Sequence, residues 1–175
     1  MTSRAKAVFF DRDGVINLTV FRKGAHRAPA DLTEFAYVEG AKATLEALKA
    51  RGYVLLVCTN QPDVSRGWQD KARVIEFHEK IERELPVSRV YACYHDEQHE
   101  CVCRKPKPGM LVQGSEEFAI DLAQSWMIGD RWKDIEAGKA AGCRTVYLRH
   151  PHDSEPAHEP DHEIQRLEQL LDIIM

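Results

Sequence analysis

Short apolar runs alternate with longer amphipathic stretches along this chain, and that rhythm limits the fold more than any other feature of the sequence. Residues 6–10 (KAVFF), 53–58 (YVLLVC), 89–93 (RVYAC), 126–128 and 144–148 read as strands. Between and after them, residues 39–51, 69–85, 109–123, 133–141 and 163–174 read as helices. Ala41, Leu45 and Leu48 share one face of the first helix, and Gly52 follows it as a cap. Val74, Phe77, Ile81 and Leu85 line the second, which Pro86 stops. Strand and helix in alternation imply βαβ units, a mostly parallel sheet and helices on both faces. The polar, proline-containing segment 150–162 reads as a surface loop, so residues 1–175 are expected to form a single domain.

Composition excludes several function classes. Twenty-four Lys and Arg against 28 Asp and Glu leave a net charge of −4, which gives no footprint for nucleic acid. No apolar run approaches the roughly 20 residues of a membrane span. The apolar run 7–10 ends at Asp11, too early for a signal peptide. A cytoplasmic, monomeric protein acting on a small molecule is the expectation, with neither nucleic acid nor membrane as partner. Five cysteines, an odd number, argue against a disulfide framework.

In open parallel sheets, ligands bind outside the carboxyl ends of the strands. The residues there are Asp11-Arg12-Asp13-Gly14, Thr59-Asn60-Gln61, the segment 93–105 and Gly129-Asp130. If the backbone stays extended past the first strand, Asp11 and Asp13 point the same way and Arg12 points away. Two carboxylates so close repel unless a cation or proton intervenes. Mg²⁺, held by Asp11 and by Asp130 from a neighbouring strand, meets that need and leaves Asp13 free to carry a proton. Taken alone, each cluster also reads as an ordinary acidic turn, a Thr/Asn turn or a solvated lysine.

Cys93, His95, Cys101 and Cys103 lie within eleven positions of a hydrophilic stretch. Three thiolates and one imidazole make the donor set of a closed structural zinc site. His99 is a rival fourth ligand; His95, paired directly with Cys93, is preferred.

The order of these parts resembles the haloacid dehalogenase superfamily of phosphohydrolases. The resemblance rests on hhhhDRDG (h, an apolar residue) at residues 7–14, hhhhTNQ at 55–61, RKPKPGM at 104–110 and hhGDxxxD at 127–134. It implies a doubly wound, Rossmann-like α/β sheet of haloacid dehalogenase type, without a large cap domain. Asp11 would then be the nucleophile and Asp13 the acid and base. Thr59, Asn60 and Lys105 would hold the transferring phosphoryl group. Mg²⁺ would sit on Asp11, the main-chain carbonyl of Asp13, and Asp130, with Asp134 either a further carboxylate near the metal or a first-turn helix acid.

A zinc loop at 93–103 directly before RKPKPGM is similar to the branch containing the heptose 1,7-bisphosphate 7-phosphatases and the histidinol-phosphate phosphatases. In that branch Arg104 would contact the distal part of the substrate, and the segment 19–29, with Arg22, Lys23, His26 and Arg27, would form a substrate loop. The resemblance thus implies a Mg²⁺-dependent phosphomonoesterase of heptose metabolism with structural zinc. Histidinol phosphate, or another small phosphate ester, is the alternative substrate. A phospho-acceptor domain or a zinc-stabilised binding module is the alternative class. Asp13 speaks against the acceptor, because a base beside an aspartyl-phosphate shortens its life.

Overall fold

Ala7, Val8, Phe9 and Phe10 are all fully buried, which requires a strand covered on both faces. The computed structural model, which describes residues 4–153, 155 and 157–175, places this strand, β1 (Ala7–Phe10), inside a parallel sheet. A small antiparallel hairpin follows, β2 (Val20–Arg22) and β3 (Ala25–Arg27), then α1 (Ala41–Ala50). β4 (Val54–Asn60), α2 (Lys71–Glu84) and β5 (Arg89–Cys93) build one side of the sheet. After α3 (Gly109–Glu117), the elements β6 (Trp126–Gly129), α4 (Trp132–Ala141), β7 (Arg144–Leu148) and β8 (His162–Ile164) build the other. A short helix, α5 (Leu170–Ile173), ends the chain. Among the described residues, no helix is long and apolar enough to cross a membrane.

The strand order is β5-β4-β1-β6-β7-β8, and every neighbouring pair is parallel. The chain winds outward from β1 through β4 to β5, then crosses back to β6. Order therefore reverses around β1, where a crevice opens at the carboxyl ends of the strands. Phe10 is in register with Val57 on one side and Ile128 on the other, so β1, β4 and β6 present their ends together.

Alternation along the strands makes two cores. Val8, Phe10, Leu55, Val57 and Ile128 pack with Leu45, Leu48, Phe77, Ile81, Leu167 and Leu170, from α1, α2 and the C-terminal segment. Ala7, Phe9, Leu56, Cys58 and Met127 pack on the other face with Met110 and Leu111 of α3 and Ala137 of α4.

Two expectations are corrected. Residues 163–174 do not form one helix, because residues 162–164 pair with the open edge of β7, leaving only a 3₁₀ turn and α5. The helix expected over 109–123 ends at Glu117, and a separate 3₁₀ turn covers Leu122–Gln124. In addition, Thr59 and Asn60 belong to β4 itself, and part of the 19–29 segment forms the β2–β3 hairpin.

Candidate active site

Asp11 sits one residue past β1, where its main-chain N–H still donates to Ile128 O at 2.9 Å. Asp130 sits one residue past β6 and Asp134 in the first turn of α4. Their carboxylates gather into one buried group whose nearest oxygens all lie within 4.8 Å of one another. Lys105 enters from the segment after β5 and is itself buried, only 2% exposed. Its ammonium lies 2.8 Å from Asp11 Oδ1, 2.6 Å from Asp134 Oδ1 and 2.6 Å from Cys58 O. Asp134 is a first-turn helix acid, whose Oδ2 accepts the Arg131 main-chain N–H at 3.1 Å, and its Oδ1 also meets Lys105. Gly129 is required for this approach, since a Cβ there would lie 2.0 Å from Asp134 Cβ.

Three carboxylates facing one ammonium leave negative charge in excess. Burial pushes the Asp11 carboxyl up to about 6, with Lys105 pulling it back and Asp134 adding to the rise. Burial and the charges of Asp11 and Asp134 push Asp130 well above the carboxylate range. Lys105 is held protonated, because Asp11 and Asp134 outweigh its own burial. Asp130 Oδ1 is buried and has no hydrogen-bond partner. An orphaned carboxylate oxygen among hard oxygen donors fits a divalent cation such as Mg²⁺. The Asp13 carboxylate is not part of that donor group.

Asp13 faces elsewhere, and here one expectation fails. Arg12 does not point away; its side chain is fully buried and turns onto Asp13. The backbone leaves the extended form at this point, for Arg12 O accepts from the N–H groups of Ile16 at 2.8 Å and Asn17 at 3.1 Å. Arg12 Nη2 donates to both Asp13 oxygens at 2.9 Å, Asn17 Nδ2 to Oδ1 at 3.0 Å, and Gln61 Nε2 to Oδ2 at 2.7 Å. Burial alone would raise this carboxyl, but the Arg12 charge and these donors hold it below the usual range. Gln61 also donates to Thr59 Oγ1 at 2.8 Å, which joins the acid turn to the end of β4.

Asn60 is committed to the backbone of Lys105, donating to its carbonyl at 2.9 Å and accepting from its N–H at 3.0 Å. Above this floor lies a cleft of about 250 Å³. Arg27, Arg66, Arg104 and Arg131 reach it, together with Thr59, Asn60 and His26. Arg104 donates to His95 O at 2.9 Å, and Glu97 bridges Arg104 and Arg66. Of the basic residues expected from the 19–29 segment, His26 and Arg27 line the cleft. Arg22 instead pairs with Glu34 and the Ala28 carbonyl, and Lys23 sits at the hairpin turn. Sequence reasoning gave no role to Gln61, Arg66 or Arg131. Gln61 closes the TNQ motif and Arg131 is a variable position inside GDxxxD, the only signal they carry; Arg66 has none.

Beside the cleft, Cys93, His95, Cys101 and Cys103 bring their donor atoms within 4.8 Å of one another. Cys93 Sγ is 3.8 Å from Cys101 Sγ and 3.1 Å from Cys103 Sγ, and 3.5 Å from His95 Nδ1. All three thiols are free. A tetrahedral zinc with Zn–S bonds of about 2.3 Å sets its sulfurs about 3.8 Å apart, which the Cys93–Cys101 pair matches, while Cys103 would move outward from Cys93 to bind. His99 is spent on Asp96, 2.7 Å away, and is half exposed.

The comparisons with known proteins agree with this geometry. A HAD-hydrolase-like family model matches residues 102–170. The chain is 34% identical to a D-glycero-beta-D-manno-heptose-1,7-bisphosphate 7-phosphatase of Pasteurella multocida, over 82% of this chain and 80% of the relative. It is 33% identical to the D-glycero-alpha-D-manno-heptose-1,7-bisphosphate 7-phosphatase of Campylobacter jejuni, over 83% of each. The D,D-heptose 1,7-bisphosphate phosphatase of B. bronchiseptica, solved with magnesium and phosphate, superposes with a TM-score of 0.79 at 26% identity, covering 96% of this chain and 99% of that one. Identity at this level along most of both partners places the chain in the haloacid-dehalogenase-like hydrolases, in the family that holds the heptose-bisphosphate 7-phosphatases.

Proposed function

We propose that the protein is a phosphomonoesterase working through an aspartyl-phosphate on Asp11, and that it removes the 7-phosphate of D-glycero-D-manno-heptose 1,7-bisphosphate. The observation that carries this reading is the buried Asp11–Lys105–Asp134 contact at the floor of a cleft rimmed by Arg27, Arg66, Arg104 and Arg131. The relatives' activity on heptose bisphosphates supports the substrate.

An Asp11 oxygen attacks phosphorus while the bond from phosphorus to the sugar oxygen breaks, and Asp13 gives the leaving oxygen its proton. Water then attacks the same phosphorus, Asp13 takes the proton back, and the bond to Asp11 breaks. Splitting the hydrolysis in this way replaces one difficult displacement by two easier ones. Lys105 holds Asp11 in place and offsets phosphoryl charge, where electrostatic stabilisation is usually the largest contribution. Asn60 fixes the Lys105 backbone, and the Thr59 hydroxyl lies beside the Gln61–Asp13 contact. The lowered proton affinity of Asp13 suits the base step; for the acid step, an arriving phosphoryl dianion raises it.

Asp11, Asp130 and the Asp13 main-chain carbonyl would hold Mg²⁺, with Asp134 beside them. When bound, the ion neutralises charge on the phosphoryl oxygens. Cys93, His95, Cys101 and Cys103 would hold a structural zinc, which orders the loop carrying Arg104. Arg104 then takes the distal phosphate, for which a guanidinium fork is suited.

The test is phosphate release in Mg²⁺ from both anomers of heptose 1,7-bisphosphate, histidinol phosphate and an aryl phosphate. Phosphorus NMR identifies which sugar phosphate is lost. Highest kcat/KM on a bisphosphate with loss at C7 is the expected result. Preference for histidinol phosphate would overturn the heptose reading and leave the phosphatase.

A further inference from the structure

The Arg12 guanidinium is buried completely beside the acid turn, and its contacts are specific. Nε and Nη2 grip Asp13, the plane lies over the Phe77 ring with 5.4 Å to the centroid, and Nη1 meets His78 Nε2 at 3.1 Å. Phe77 and His78 are neighbours on α2, both buried. A guanidinium has only donors, so His78 Nε2 accepts, and the imidazole is neutral with its proton on Nδ1. Burial and the adjoining Arg12 charge, which push the imidazole down to about 3, keep it neutral.

We infer that His78 is a positioning residue for the proton-transfer step: by accepting from Arg12 Nη1 it sets the rotation of the guanidinium plane, and so the orientation of the Asp13 carboxylate gripped by the opposite edge. A buried guanidinium N–H left without an acceptor is costly, so Arg12 turns to find one when His78 is removed. Asp13, gripped through Nε and Nη2, is drawn with it and strains its bonds from Asn17 and Gln61. The Phe77 ring limits tilt but accepts no directed bond, so it does not replace His78. This inference rests on the assignment of Asp13 as acid and base.

The leaving group tests it. A sugar alkoxide needs its proton as the bond to phosphorus breaks; a p-nitrophenolate does not. The constant kcat/KM covers steps only as far as release of the alcohol, so the later water attack does not enter. His78→Leu should lower kcat/KM on the best sugar phosphate by roughly ten- to a hundredfold, a share of what a general acid supplies, and on p-nitrophenyl phosphate far less. His78→Gln, whose Oε1 falls near the place of Nε2, should recover most of the loss. His78→Asn is too short to reach Arg12 and should repeat the Leu pattern, which keeps the test open if the Leu variant does not fold. Asp13→Asn is the control and should show the same leaving-group dependence with larger amplitude. If Asp13→Asn lowers both substrates equally, the acid assignment fails. If Asp13→Asn shows the dependence but the folded His78 variants lower both equally, or neither, His78 has no positioning role.

Discussion

Lys105 Nζ lies 2.8 Å from Asp11 Oδ1, a buried contact between residues 94 positions apart in the chain. β1 delivers the carboxylate and the segment after β5 delivers the ammonium. Asn60, at the end of β4, holds the Lys105 backbone in place between them. Each of the three residues leaves a different strand end, so the contact exists only because the strand order brings β1, β4 and β5 side by side.

Asp11→Asn should abolish turnover while preserving the fold, since the amide keeps the volume but loses the proposed nucleophile. A fall in phosphate release on the order of a thousandfold or more is expected, with little change in circular dichroism. Rapid quenching with ³²P-labelled substrate should trap label on the wild-type protein and none on the variant. Near wild-type release from Asp11→Asn would exclude the covalent route.

Magnesium should stabilise the protein more at higher pH. With metal removed, the Asp11 carboxyl is raised to about 6 and Asp130 also lies high. A carboxyl raised in the folded state adds stability that is complete below its unfolded value and is lost as pH rises through the folded one. In EDTA Asp11 should therefore cost stability as pH rises from about 4 to about 6, and Asp130, raised in the same direction, adds to that loss. Asp13, held low, has the opposite sign and loses its contribution only as pH falls through its depressed folded value. Because metal binds the ionised carboxylates, the rise in Tm on adding Mg²⁺ should be larger near pH 7.5 than near pH 5. An equal rise at both would place the ion elsewhere.

Protein purified without added zinc should carry about one zinc per chain. Cys101→Ser or Cys103→Ser should remove it, lower Tm by roughly 5 °C or more, and reduce activity, because the same loop orients Arg104. Metal analysis, melting curves and phosphate release on the same samples provide the check. A variant without zinc yet fully active would detach the loop from catalysis.

Arg104→Ala should weaken the bisphosphate selectively. A charge-assisted contact to a distal phosphate is worth about 1.5–3 kcal/mol, or roughly ten- to a hundredfold in kcat/KM. A monophosphate lacking that group should lose far less. Glu97 bridges Arg104 and Arg66, so Glu97→Gln should loosen both arginines without removing either. Equal losses on both substrates for Arg104→Ala would mean that this arginine does not read the distal phosphate.

The local pattern of the chain determined its parallel sheet and the positions of most helices, because apolar periodicity follows from which faces must be buried. It also marked Asp11, Asp130 and Lys105, each at a strand exit or within a recognised motif, and the cysteine loop, whose donors are close in sequence. Other features were decided only by the tertiary structure. Residues 163–174 have helical spacing, yet 162–164 became β8 because the edge of β7 offered hydrogen bonds from a distant segment. An extended backbone would turn Arg12 outward. The turn closed by the N–H groups of Ile16 and Asn17 carried it inward to Asp13 and His78, 66 positions away. Local spacing cannot report such contacts, since their partners are chosen by packing between elements that share no periodicity.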